Sequence, residues 1–144
     1  MSQKFHIEVI PWQCEMQAKL KAVREEVFIK EQHVPLDIEW DEFDETAIHL
    51  LALDEDAGAI ACARILIDKA KIGRMGVLKP WRGRGLGYAI LEKAIEVCKS
   101  HGLQKVTLSA QTHAIKFYEK AGFVVTSEAY IDANIWHVDM QLDV

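Results

Sequence analysis

The rhythm of the chain changes at residue 80, and that change limits the fold more than any other feature. Residues 71–78, Lys-Ile-Gly-Arg-Met-Gly-Val-Leu, read as a strand (β4) closed by Pro80, and the turn-forming run Arg82-Gly83-Arg84-Gly85-Leu86-Gly87 follows. From Leu86 the apolar residues Ile90, Leu91, Ala94, Ile95, Val97 and Cys98 recur at helical spacing until His101-Gly102, a basic residue and a glycine of the kind that ends a helix. A strand that passes through a glycine loop into an amphipathic helix must lay that helix back on its sheet. The next β-rich run, residues 106–110 (β5), then becomes the far strand of a βαβ crossover.

The same local geometry gathers free backbone N–H groups at the positive end of a helix, which suits a phosphate or pyrophosphate. Glycines 83, 85 and 87 remove Cβ atoms that would hold a ligand off the backbone, and Arg82 and Arg84 can add charge. The dinucleotide fingerprint GxGxxG is not met, because the third glycine comes one residue early. The GK[ST] ending of an ATP-type loop is absent too. A phosphate-bearing ligand of another kind is implied.

The rest of the chain frames this unit. At 144 residues, 50% of them hydrophobic, the chain has the size of one compact domain spanning residues 1–144. Phe5 to Ile10 alternates like a half-buried strand, and Gln13 to Lys30 carries Met16, Leu20, Val23, Val27 and Phe28 at helical spacing. Residues 36–45 hold six acids and read as a loop with one helical turn and a solvated face. Residues 48–53, 59–67 and 71–78 form a three-stranded meander, and 112–120 form a short helix after β5. Residues 123–126 and 135–142 close the sheet as strands. A formal net charge of −5, with no basic cluster beyond Arg82 and Arg84, argues against nucleic acid as a partner. Cys14, Cys62 and Cys98 match neither a disulfide framework nor a metal site; they read as reduced thiols. The N-terminus shows no apolar leader, and no stretch is apolar enough to span a membrane, so a cytoplasmic location is expected.

Arg82-x-x-Gly85-x-Gly87 is similar to the [QR]xxGx[GA] signature of the GNAT superfamily of N-acetyltransferases, and Arg74 to Trp81 looks like that family's strand-to-loop lead. A second segment, Ala114-x-x-Phe117-Tyr118-Glu119-Lys120-Ala121-Gly122-Phe123, resembles the family's A-x-x-[LF]-Y-x-x-x-G-F segment, in the expected order and on the expected element. Val23-Arg24-x-x-Val27-Phe28-Ile29-x-Glu31-Gln32-x-x-Pro35, with Asp41 and Asp44 before His49, looks like the ElaA-like branch. The resemblance implies an α+β fold, an α/β/α sandwich around a mixed, mostly antiparallel sheet of about seven strands, splayed between β4 and β5.

It further implies acetyl-CoA as co-substrate, without a metal. Pantetheine would pair with the backbone of Met75, Gly76 and Val77, and the pyrophosphate would lie on Arg82, Gly83, Arg84, Gly85, Leu86 and Gly87. Gln111, Phe117 and Tyr118 would complete the cofactor site, although many family members carry Asn where this chain has Gln111. Tyr118 would give a proton to the departing thiolate, since an ordinary phenol stays protonated at neutral pH. The Val77 N–H would hold the oxyanion, freed by a bulge.

An amine acceptor must lose a proton, and Glu31, Asp41, Asp44, His49, His113 and His137 can all take it; no spacing rule selects one. His49 and His137, inside strands, also read as structural histidines, and the acids of 37–45 as an attractor for a cationic amine. Small-molecule and peptide amines both fit as acceptors, and a homodimer is left open. Two rival functions share part of these features. An acyl-homoserine-lactone synthase carries a similar Arg-x-x-x-Phe and later acids, here Arg24, Phe28, Asp41 and Asp44. A non-catalytic acyl-CoA-binding module would need the glycine loop but not Tyr118.

Overall fold

The computed structural model describes residues 4–144; Met1 to Gln3, the start of the stretch read as lacking an apolar leader, lie outside the described residues. The strands are β1 (Phe5–Ile10), β2 (Ile48–Asp54), β3 (Ala59–Leu66), β4 (Lys71–Val77), β5 (Lys105–Gln111), β6 (Val124–Val125), β7 (Tyr130–Asp132) and β8 (Ile135–Asp143). They form one sheet in the order β1-β2-β3-β4-β5-β8-β6, with β7 also on β8. The pairs are antiparallel except β4 with β5.

The eighth strand is β7, which the sequence does not announce. Its hairpin to β8 turns on Ala133 and Asn134, at φ 49° and 66°. Two consecutive positive-φ residues define the turn that matches strand twist, and Asn-Gly is its usual signal. Ala-Asn hides it.

Helix α3 (Leu86–Ser100) covers one face of the sheet, burying Leu86, Ile90, Leu91, Ala94, Val97 and Cys98 against alternate residues of β2 to β5 and β8. The opposite face is covered by α1 (Gln17–Arg24), whose Leu20 and Val23 meet Leu51, Leu53 and Cys62. Because β2 and β3 are buried on both faces, their sequences are nearly continuous apolar runs rather than alternating ones. The periodicity predicts a helix from Gln13 to Lys30; it starts at Gln17, and from Glu25 to Glu31 it widens into a π-helix, a form found at functional sites. The acidic stretch folds as α2 (Leu36–Glu39) and a 3-10 turn (Glu42–Glu45) closed by a capping box between Asp41 and Asp44. The short helix α4 spans Ile115–Lys120.

Candidate active site

The parallel pairing of β4 and β5 lasts for two registered residues, Lys71 with Thr107 and Ile72 with Leu108, after which the strands part. In the same place β4 carries a bulge: Cys62 opposes Gly76 while Arg64 opposes Gly73, so Arg74 and Met75 together face the single residue Ala63. The extra residue reverses the alternation. Before it, the Ala70 carbonyl points to β5 and accepts the Thr107 N–H; after it, the Leu78 N–H points the other way, to Ile60 O on β3. With period two, the amides of Met75 and Val77 therefore face the gap. Gly76 faces the π-helix, where an added Cβ would stand 3.1 Å from Val27 and 3.2 Å from Phe28.

The gap leads into the glycine loop. Gly83 and Gly85 adopt φ 75° and 83°, and a Cβ on either would meet no protein atom within 4 Å, so open space lies over both. Gly85 is the N-cap of α3; no side chain caps this end and no acid stands in its first turn. Its leading N–H groups are left for a ligand. A Cβ on Gly87 would lie 3.6 Å from the Phe117 ring and 3.7 Å from the Val77 side chain, so the end of β4, the start of α3 and α4 converge there. This cradle has room for a phosphate-bearing group at Gly83 and Gly85. The Arg82 guanidinium is turned elsewhere: it makes a bidentate pair with Glu31, both contacts 2.6 Å, and its Nε donates to Val77 O. The pair with Arg82 holds Glu31 below the usual carboxylate range. Arg84 lies over the Trp81 ring.

Tyr118 is half-buried between Phe117 and Phe123, at ring distances of 5.1 and 6.1 Å. Burial pushes its phenol up to about 12. At the far end of β5, Gln111 Nε2 donates to Gln32 Oε1 at the end of the π-helix, and Gln111 Oε1 receives His113 Nε2 at 2.7 Å. The π-helical segment thus reaches across to β5. His137 stands directly opposite Gln111 on β8. Its Nδ1 is 2.7 Å from Ile135 O, which requires the proton on that nitrogen and leaves Nε2 with a bare lone pair in the neutral ring.

The remaining acidic candidates are paired with arginines. Three arginines, Arg24 from α1, Arg64 from β3 and Arg74 from the β4 bulge, interlock with Glu39, Asp41 and Asp44. Arg24 Nε meets Glu39 at 2.8 Å and its NH1 meets Asp44 at 2.6 Å, while Arg64 NH1 meets Asp41 at 2.6 Å. Arg24, Glu39, Asp44 and Arg64 are buried. Burial opposes ionisation of Asp44, but the Arg24 hydrogen bond and charge outweigh it and its pKa is lowered. His49, fully buried against Trp12, donates from Nε2 to Asp44 O at 2.9 Å, and burial lowers its pKa. The expected solvated face of residues 37–45 holds for Asp37, Glu42 and Glu45, which are exposed, and is corrected for Glu39, Asp41 and Asp44, whose charge is met by arginines far away in sequence. Arg64, a charge inside an otherwise apolar strand, is the one local hint of them.

These features place the chain in a class. It belongs to the GNAT acetyltransferase family, whose acetyltransferase (GNAT) domain model matches residues 14–144. Among its relatives, the uncharacterized protein YyaT of Bacillus subtilis is 36% identical over 96% of each chain. Protein ElaA of Escherichia coli is 34% identical over 82% of this chain and 81% of its own. The crystal structure of E. coli ElaA superposes with a TM-score of 0.85 at 29% identity, covering 96% of this chain and 99% of that one. An acyl-CoA N-acyltransferase from Pseudomonas aeruginosa gives 0.83 at 30% identity, covering 97% and 99%. The expected family and fold hold, with eight strands among the described residues in place of about seven. No helix among the described residues is long and apolar enough to cross a membrane. No group of three or more His, Cys, Asp or Glu among them could hold a metal ion.

Proposed function

We propose that this chain, acting as one domain, transfers the acetyl group of acetyl-CoA to a primary amine by direct attack in a ternary complex. The observation that carries the reading is the continuity of three parts: a strand gap onto which the Met75 and Val77 N–H groups open, an uncapped helix start at Gly85, and the Phe117 ring at their junction with Tyr118 packed beside it.

The pyrophosphate rests on the N–H groups of residues 83–87, and pantetheine adds to β4 as a strand would, through Met75 and Val77. The amine nitrogen attacks the thioester carbonyl carbon; the Val77 N–H receives the developing negative charge on oxygen. When the C–S bond breaks, its electron pair stays on sulfur and Tyr118 supplies the proton. The phenol holds its proton across the neutral range and so has one to give. Of the groups able to take the amine's proton, Asp41 and Asp44 are committed to arginines, Glu31 to Arg82, and His49 to the core. His113 and His137 remain; His113 is exposed and gives its Nε2 proton to Gln111, and we assign the role to His137, whose bare Nε2 belongs to a buried residue opposite Gln111 on β8. Tyr118 favours an enzyme over a binding module that needs no proton donor.

The test is thiol release from acetyl-CoA by the purified protein in the presence of polyamines, aminoglycosides, amino acids and peptide amines. At least one acceptor is expected to raise the rate above hydrolysis. Bound acetyl-CoA with silence across the panel would favour the binding module instead.

A further inference from the structure

The β4 bulge is what turns Met75 and Val77 toward the gap, and its backbone is not held by a glycine. Arg74 itself takes the left-handed conformation, φ 48°, although glycines stand at 73 and 76. An L-residue in this region is disfavoured by roughly 1–2 kcal/mol, so something beyond local preference must keep the bulge where it is.

The side chain supplies it. Arg74 NH2 donates to Ile38 O, Glu39 O and Asp41 Oδ2 at 3.2, 3.1 and 3.1 Å, and its Nε lies 3.2 Å from Glu39 Oε2. These acceptors are themselves fixed: Glu39 by Arg24 and Asp41 by Arg64. Three guanidinium groups face three carboxylates, so the bracket is neutral and rigid. It is anchored to α1 and to β3, the strand on the other side of β4 from the gap. Cys62 Sγ adds a contact to the Arg74 carbonyl at 3.3 Å. Slipping the bulge by one residue would pull Arg74 out of this bracket. It would also return the amides of 74 and 76, rather than 75 and 77, to the gap.

We propose that Arg74 is a positioning residue: gripped by Glu39 and Asp41, it locks the β4 bulge in the register that offers the Met75 and Val77 amides to the pantetheine arm. The acidic segment of residues 36–45 thus serves the coenzyme side of the reaction, and the proposal rests on the coenzyme A reading given above.

The discriminating measurement compares two ligands by calorimetry: coenzyme A, and 3′,5′-ADP, which keeps the phosphates and adenosine but lacks pantetheine. In Arg74→Gln, coenzyme A affinity should fall about tenfold, the scale of losing one or two amide hydrogen bonds. Affinity for 3′,5′-ADP should stay within about twofold on the same scale. Arg74→Lys, which keeps the charge without the planar fork, should recover part of the loss. Asp41→Asn, at the partly exposed end of the bracket, should reproduce the same split if Arg74→Gln folds poorly. Unchanged coenzyme A affinity in both Arg74→Gln and Asp41→Asn, or an equal fall for both ligands, would overturn the clamp. If the wild-type chain bound neither ligand, the coenzyme A reading itself would fail and take the clamp with it.

Discussion

Tyr118 carries the sharpest consequence of a single side chain. Removing its hydroxyl should lower turnover by about 10²-fold or more, the usual worth of a positioned acid, and leave coenzyme A affinity nearly unchanged. An unaltered rate in Tyr118→Phe would remove it from the mechanism. Its raised pKa has two readouts of known sign. Donation needs the protonated form, so no fall in kcat from this group should occur until pH approaches about 12. For stability, the folded chain holds this proton more tightly than an unfolded one, whose phenol titrates near 10. The contribution is complete below about 10 and disappears as pH rises through about 12. A descending limb near neutral pH that vanished in Tyr118→Phe would contradict this placement.

Among the elements, the loop before α3 and the bulge in β4 differ in how visible they are from sequence. Gly85 takes φ 83° with open space in front of it, so Gly85→Val strains the backbone while its Cβ meets no protein atom within 4 Å. It should cost about 1–2 kcal/mol of stability, seen as a Tm lower by several degrees, and abolish coenzyme A binding. A folded Gly85→Val chain that bound coenzyme A normally would refute the phosphate site. This loop is legible because its determinants are contiguous: a strand, a proline, spaced glycines and a helical period within 31 residues, 71–101. The Phe117-Tyr118 helix is legible for the same reason. The bulge register is not, because the positive φ falls on an arginine and the groups that hold it come from α2 and from Asp41 just after it, whose own partners lie in α1 and β3. Strand β7 escapes because its turn is Ala-Asn. Helix α1 is legible as an apolar stripe, but its change to π geometry, which carries Glu31 to Arg82 and Gln32 to Gln111, leaves no mark in the periodicity.

Taken as a whole, the molecule joins two half-sheets that touch through two registered residue pairs, with α1 and its acidic bracket on one face and α3 on the other. Its net charge of −5 would repel an anionic coenzyme, so affinity must come from local groups, the oriented amides of the loop and of β4 among them, rather than from the overall field. Titration of the wild-type chain with coenzyme A in a calorimeter therefore tests the central claim most directly. One site is expected, and saturation at about 100 times Kd should stabilise the fold by about 2.7 kcal/mol. A well-folded chain that takes up no coenzyme A, with neither heat nor a shift in Tm, would contradict the account.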